Sequence, residues 1–313
     1  MALLIVLWIV ASAALLVSAF NVVARSGASF AASEVQLSKT EALLDSGVEI
    51  AASQLMGKKE QRGWRADGLP HTIPYSGANL IISVHDANGL VDINKADGEV
   101  LLGLFRAHGA QQATAEALRD QILTARGEDT PDPNKKPSSS QKDKRGKANA
   151  AASKNNNPWV AESPDGAPEE DKPKPHATVF LDPAQLRHLR GMTLPLYRKL
   201  APLVTVYGRD GRINLETAPD GALAALPNLT RIDLARVRDA ARSRVRNDAL
   251  FDDIKQRVGE FASDEDGPAY IVKVELASGL QYRPAREFVI AVDIDDEAPF
   301  RLIAKRNLAG TGR

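Results

Sequence analysis

Residues 1–24, MALLIVLWIVASAALLVSAFNVVA, carry no charged side chain, and Arg25 is the first. The helical pattern runs on past that point. SEVQLSKTEALLDSGVEIAASQLM continues it to Met56 with no proline, placing Ala31, Ala32, Val35, Leu37, Ala42, Leu43, Val48, Ala51, Ala52 and Leu55 at helical spacings. An uncharged half joined to an amphipathic half in one helix describes a chain rooted in a bilayer that projects outward from it. Ala2 to Phe20 would span about 28 Å as a helix, close to the thickness of a hydrocarbon core.

Three readings fit that segment. Val17-Ser18-Ala19 has the small residues of a signal-peptide cleavage site, but no Lys or Arg precedes the apolar run and the run is long for a signal. A plain single-span anchor is the second. The third is a pilin-type amino terminus, in which one helix is first a membrane anchor and then the packed core of a fibre. The amphipathic second half favours this last reading. So does the missing basic flank, which in pilin-like precursors lies in a leader removed ahead of the mature Met1, whose amine is then free or methylated.

Forty basic and forty acidic residues leave no global field for nucleic acid or anionic lipid. The absence of cysteine excludes disulfides, thiolate nucleophiles and Cys-ligated zinc. The five histidines show no HExxH or paired metal spacing, and no GxSxG, P-loop or GxGxxG is present. His85 and Asp86 are adjacent, but neighbours on a strand face opposite ways and form no dyad. No enzymatic constellation is present in the sequence.

Along the chain, Leu80 to His85 reads as a strand. From Gly89 the period turns helical, with Val100, Leu101, Leu104 and Phe105 on one stripe and Ala113, Ala117, Leu118, Ile122 and Leu123 on another. Residues 128–174 are rich in Pro, Lys, Ser, Asn, Asp and Glu, and are expected to be disordered or a long polar loop. Asp182-Pro183 reads as a helix N-cap, Val204 to Tyr207 as a strand, and Thr217-x-x-Asp220 as a capping box. Tyr270 to Leu276, Phe288 to Val292 and Phe300 to Ala304 read as antiparallel strands. A weak internal repeat pairs Asn94, Ala96, Leu101 and Leu104 with Asn214, Ala218, Leu223 and Leu226.

EALLDSGVEIAASQL (Glu41 to Leu55), GLVDINKADGEVLLGL (Gly89 to Leu104), LDPAQLRHLRGMTLPLYRKLAPLVTVYG (Leu181 to Gly208) and GRINLETAPDGALAALP (Gly211 to Pro227) follow in an order that resembles the minor pseudopilin K family of type II secretion. The resemblance implies an α+β fold: a pilin-like long N-terminal helix packed on an antiparallel sheet, with an inserted mainly helical domain of sterile-alpha-motif-like (SAM-like) character. The divisions are 1–56 for the helix, 57–88 for the first strands, 89–208 for an inserted helical domain containing the loop, 209–262 for a second helical segment and 263–313 for the last strands. It implies a bacterial inner-membrane protein with a cytoplasmic amino terminus and a periplasmic body. Such a protein would cap the pseudopilus tip with the minor pseudopilins I and J, with no nucleic-acid partner. Pilin-type subunits usually carry Glu at the fifth mature position to pair with a neighbour's amine. With Met1 as the first residue, Ile5 stands there and cannot pair, which suits a first subunit.

Leu37, Leu44 and Ile50 give the amphipathic half apolar positions on more than one side and are the expected partner interface. The family also implies bound calcium, which takes hard oxygen ligands. Glu128, Asp129 and Asp132 after the second helix, at the start of the polar loop, and Glu169, Glu170 and Asp171 before Val179 are the candidates. The other reading of INxxTAPxxxLAALP is a membrane-anchored helix-hairpin-helix DNA-binding protein of a competence or type IV pilus system. Its phosphate grip needs a glycine hairpin, and Pro227-Asn228-Leu229-Thr230 has none.

Overall fold

A computed structural model describes residues 2–56, 62–128, 179–243, 248–277, 283–292 and 300–308. Helix α1 (Ala2–Leu55) is unbroken over 54 residues. Neither glycine in it interrupts the hydrogen-bond ladder, and no proline is present to do so.

The end of α1 lies on a five-stranded antiparallel sheet made of β1 (His71–Tyr75), β2 (Ala78–Asp86), β7 (Tyr270–Ala277), β8 (Ala285–Ala291) and β9 (Arg301–Leu308), in the order β1-β2-β7-β8-β9. Strict alternation along β7 buries Tyr270, Val272, Val274 and Leu276 while their neighbours face the other way. These residues, with Leu80, Ile82, Val84, Phe288 and Ile290, form one core with Leu43, Leu44, Val48, Ala51, Ala52 and Leu55 of α1. Gly47 sets how close the helix can lie. A Cβ there would fall 2.5 Å from Cγ1 of Val274, so any larger residue lifts α1 off the sheet.

Strands β2 and β7 are paired neighbours, with Asp86 opposite Tyr270, yet everything from Ala87 to Ala269 lies between them in sequence. That insertion is two helical repeats. The first runs from β3 (Val91–Asp92) through α2 (Gly98–Ala107), α3 (Gln112–Ala125), a 3-10 turn Pro183–His188 and α4 (Leu194–Leu200) to β4 (Val204–Thr205). The second runs from β5 (Ile213–Asn214) through α5 (Asp220–Leu223), α6 (Arg231–Arg242) and α7 (Asp248–Val258) to β6 (Ala262–Ser263). Each repeat is closed by a short parallel bridge between its first and last strand.

The hydrogen bonds align the repeats and correct the sequence register. Ile93 N donates to Thr205 O and Leu215 N to Ser263 O, both at 3.0 Å. Asn94 N donates to the Asp92 side chain at 2.7 Å, and Glu216 N to that of Asn214 at 3.1 Å. Asn214 therefore corresponds to Asp92, not to Asn94, while the pairing of Ala96 with Ala218 stands, since each donates its N–H to the carbonyl four residues back. The aspartate and the asparagine do the same work because both present a side-chain oxygen to the backbone two residues on.

Local signals hold in part. Asp182 caps the 3-10 turn in a reciprocal capping box with Gln185. Thr217 does not cap α5, whose N-cap is Pro219; its hydroxyl donates instead to Asp86. The strand expected over Val204 to Tyr207 shortens to Val204–Thr205, because the Thr205 hydroxyl accepts from Tyr207 N at 3.1 Å and turns the chain. The expected loop at 128–174 lies outside the described residues apart from Glu128.

Candidate functional site

Helix α1 changes character along its length. Leu4, Ile5, Leu7, Trp8, Leu15, Leu16 and Phe20 are exposed, as are Phe30, Val35 and Leu37. From Leu43 the helix is buried against its own sheet. The changeover is marked by charge. Arg286 on β8, only 5 % exposed, donates to Asp45 at 2.9 Å and reaches Glu41 at 3.4 Å, while Lys305 on β9 also holds Asp45 at 3.0 Å. A buried guanidinium left without a carboxylate is costly, so these contacts fix where α1 leaves the body. The sequence pattern of α1 did not single out Arg286, whose buried setting depends on the β8–β9 pairing.

The three expected interface residues separate. Leu37 is 65 % exposed and available to a partner. Leu44 is 4 % exposed and belongs to the α1–sheet core, which corrects its assignment to a partner interface. Ile50 is half-buried against the same core. The helix buries positions 43, 44, 47, 48, 51, 52 and 55, a stripe wider than a heptad seam, because it lies flat across several strands. Ile5 is exposed, at 62 %. Met1 lies outside the described residues. Among the described residues no helix is long and apolar enough to cross a membrane; in the uncharged half, the uninterrupted run of described side chains is 4–18.

Of the six acidic residues expected to hold calcium, Asp129, Asp132, Glu169, Glu170 and Asp171 lie outside the described residues. Glu128 does not fit the role. Its carboxylate accepts from Arg126 Nε at 2.9 Å, and Arg126 is anchored to the carbonyl of Ala96 at 2.7 Å, so a fixed guanidinium already occupies it. No group of three or more His, Asp or Glu suited to a metal ion occurs among the described residues.

The junction between sheet and repeats is a buried polar knot. Asp86, fully buried at the end of β2, accepts four hydrogen bonds. They come from Asn88 N at 3.0 Å, Gly267 N at 2.7 Å, Asn214 Nδ2 at 2.9 Å and Thr217 Oγ1 at 3.0 Å. Burial pushes its carboxyl pKa up, against the pull of these donors. Asn88 accepts from Arg209 N at 2.8 Å and donates to Glu265 O at 3.2 Å, joining the chain just beyond the first repeat to the chain just beyond the second. Asp92 does the equivalent work inside the first repeat, accepting from Gly208 N at 2.7 Å, and burial raises its pKa too. Asp86, occupied by two backbone and two side-chain donors, locks the insertion to the sheet, while Asp92 closes the first repeat on itself.

On the opposite face of β2, His85 borders a cleft of about 210 Å³ with Tyr207, Lys273, Glu287 and Arg306. Burial lowers its pKa; Asp67 opposes this and Lys273 adds to it. Arg306 is held by Asp182 at 3.1 Å and by Glu287 at 2.6 Å. His85 and Asp86 lie on opposite sides of the sheet's end, as adjacent strand residues must.

No protein-family model and no curated protein matches this sequence. Among solved structures, this chain is similar to one in the GspK-GspI-GspJ complex from the enterotoxigenic Escherichia coli type 2 secretion system. The similarity covers 90 % of this chain and 98 % of that one, at 15 % identity and a TM-score of 0.48. The architecture described above is that of a mixed fold: a long N-terminal helix on an antiparallel sheet, with a helical insertion between two paired strands.

Proposed function

We propose that this chain is a minor pseudopilin of the K type. It would be a non-enzymatic subunit at the tip of a type II secretion pseudopilus, assembled with the minor pseudopilins I and J and anchored in the inner membrane with its body in the periplasm. One observation carries the reading: α1 is a single helix that packs on its own sheet over its last quarter, from Leu43, and exposes Leu4 to Val10, Leu15 to Val17, Phe20, Phe30, Val35 and Leu37. Such a surface is stable only in lipid or against other helices. The sequence resemblance names which helices.

The uncharged run from Ala2 to Phe20 supports the anchor. The helical insertion supports the tip, because a subunit inside a filament must be packed on every side. Membrane extraction and amino-terminal sequencing test the anchor. The account expects a protein released by detergent and not by alkaline carbonate, beginning at Met1; a start at Phe20 would show a cleaved signal instead. Calcium enters the proposal only through Asp129, Asp132, Glu169, Glu170 and Asp171, hard-oxygen donors in the sequence. Addition of calcium to metal-free protein should then raise its melting temperature, and an unchanged melt removes the ion from the account.

A further inference from the structure

Most cations among the described residues are neutralised where they stand. Arg62, Arg126, Arg212, Arg257 and Arg306 each face a carboxylate. A different population sits on adjoining turns of the first helical repeat. Arg106, Arg187, Arg190, Arg198 and Lys199 are all exposed. Among the described residues, Arg187 reaches His188, at 3.4 Å, and Lys199 the carbonyl of His108, at 3.4 Å, and neither meets a carboxylate.

The fold gathers them. The turn Leu189-Arg190-Gly191-Met192-Thr193 reverses the chain through Gly191, whose φ of +92° favours glycine. Gln121 of α3 clamps this turn, accepting from Arg190 N at 2.8 Å and donating to Arg190 O at 2.9 Å. Helix α4 then buries Leu196 and Leu200. That leaves Leu194 and Arg198, one turn apart, on the outer face. Lys199 joins α4 to the end of α2, where Arg106 lies. Leu194, one turn before Arg198 on α4, is 57 % exposed.

A solvated charged face mixes both signs; this one is cationic and carries a protruding leucine. An exposed leucine flanked along the chain by Arg190 and Arg198 is the composition of a protein interface. A nucleic-acid surface would pair the cations with polar or stacking groups, and the one aromatic on α4, Tyr197, is half-buried. We propose that this face docks an acidic protein, one that presents carboxylates around an apolar recess able to take Leu194. The inference rests on the first repeat alone and stands independently of the pilus reading, which rests on α1.

The test uses the full chain in a non-ionic detergent. The probes are a fluorescent peptide of Glu-Glu-Leu repeats, polyglutamate of the same length and a short DNA duplex, at about 0.15 M salt. The Glu-Glu-Leu peptide should bind saturably. The triple variant Arg187→Ser, Arg190→Ser, Arg198→Ser should lose about tenfold in affinity, the sum of several exposed charge contacts. Leu194→Ser should weaken the Glu-Glu-Leu peptide and leave polyglutamate unchanged. An unaltered melting curve in both variants, expected for exposed side chains, separates this from misfolding. No binding of the peptide, equal binding by the triple variant, or tighter binding of the duplex than of the peptide overturns the proposal.

Discussion

The two ends of α1 share a helix and differ in what surrounds it. Its last turns, from Leu43 to Leu55, are buried on the sheet, with Ala51 and Leu55 fully covered. Among the described side chains, its earlier turns expose Leu4 to Val10, Leu15 to Val17, Phe20, Phe30, Val35 and Leu37. Apolar side chains left in water forfeit about 1.5–3 kcal/mol each relative to burial, so the exposed length is a surface awaiting cover. The buried length belongs to the stability of the monomer and the exposed length to association. Substitutions at the two ends should therefore report on different quantities.

The largest effect is expected at Leu44. Leu44→Asp places a carboxylate in the α1–sheet core and should cost about 4 kcal/mol or more in chemical denaturation. A loss below about 1 kcal/mol would mean that α1 does not pack where described. Gly47→Leu comes next. Its side chain would meet Val274 head on, and the overpacking should cost about 1–3 kcal/mol, read by the same denaturation series.

A smaller effect comes from His85, across the sheet from α1. Its folded pKa lies below the unfolded value, so the unfolded state binds the proton first. The stability it contributes is present above the unfolded value and is lost as pH falls below it, with a slope of at most about 1.4 kcal/mol per pH unit. Asp86 and Asp92, whose pKa values are raised, act in the opposite sense: their contribution is full below the unfolded carboxylate range and is lost as pH rises through their folded values. His85→Gln isolates the imidazole. Melting curves of that variant should change less between neutral pH and the acid side of the histidine range than those of the wild type, and parallel curves would remove His85 from the account.

Periodicity is enough to place the strands β2, β7 and β8, the stripe of α2 and the length of α1, because each has one face committed to a core; on α3 it places Leu118, Ile122 and Leu123, but Ala113 and Ala117 are exposed and Ala115 is buried in their stead. It is not enough to decide which side of α1 is free. Leu37 and Leu44 are both leucines on an amphipathic helix, and only the breadth of the sheet beneath decides that one is buried and the other is not. The repeat was visible through its leucines and misaligned by its asparagines, since Asp92 and Asn214 fill one role with different residues. The roles of Arg286 and Asp86 are not legible in the sequence, for a related reason. Their partners, Asp45 for one and Gly267 for the other, are far away in sequence, and no local pattern marks a long-range hydrogen bond.

The most direct test of the division lies at Leu37. In the full chain, Leu37→Asp should change stability by less than about 0.5 kcal/mol, as an exposed substitution does. Co-purified with the minor pseudopilins I and J and sized by light scattering, the wild type should give a stoichiometric complex and Leu37→Asp should give dissociated chains. A wild type that stays apart from both partners, or a Leu37→Asp variant that assembles as well as the wild type, would contradict the claim that the exposed length of α1 exists to be covered by other subunits.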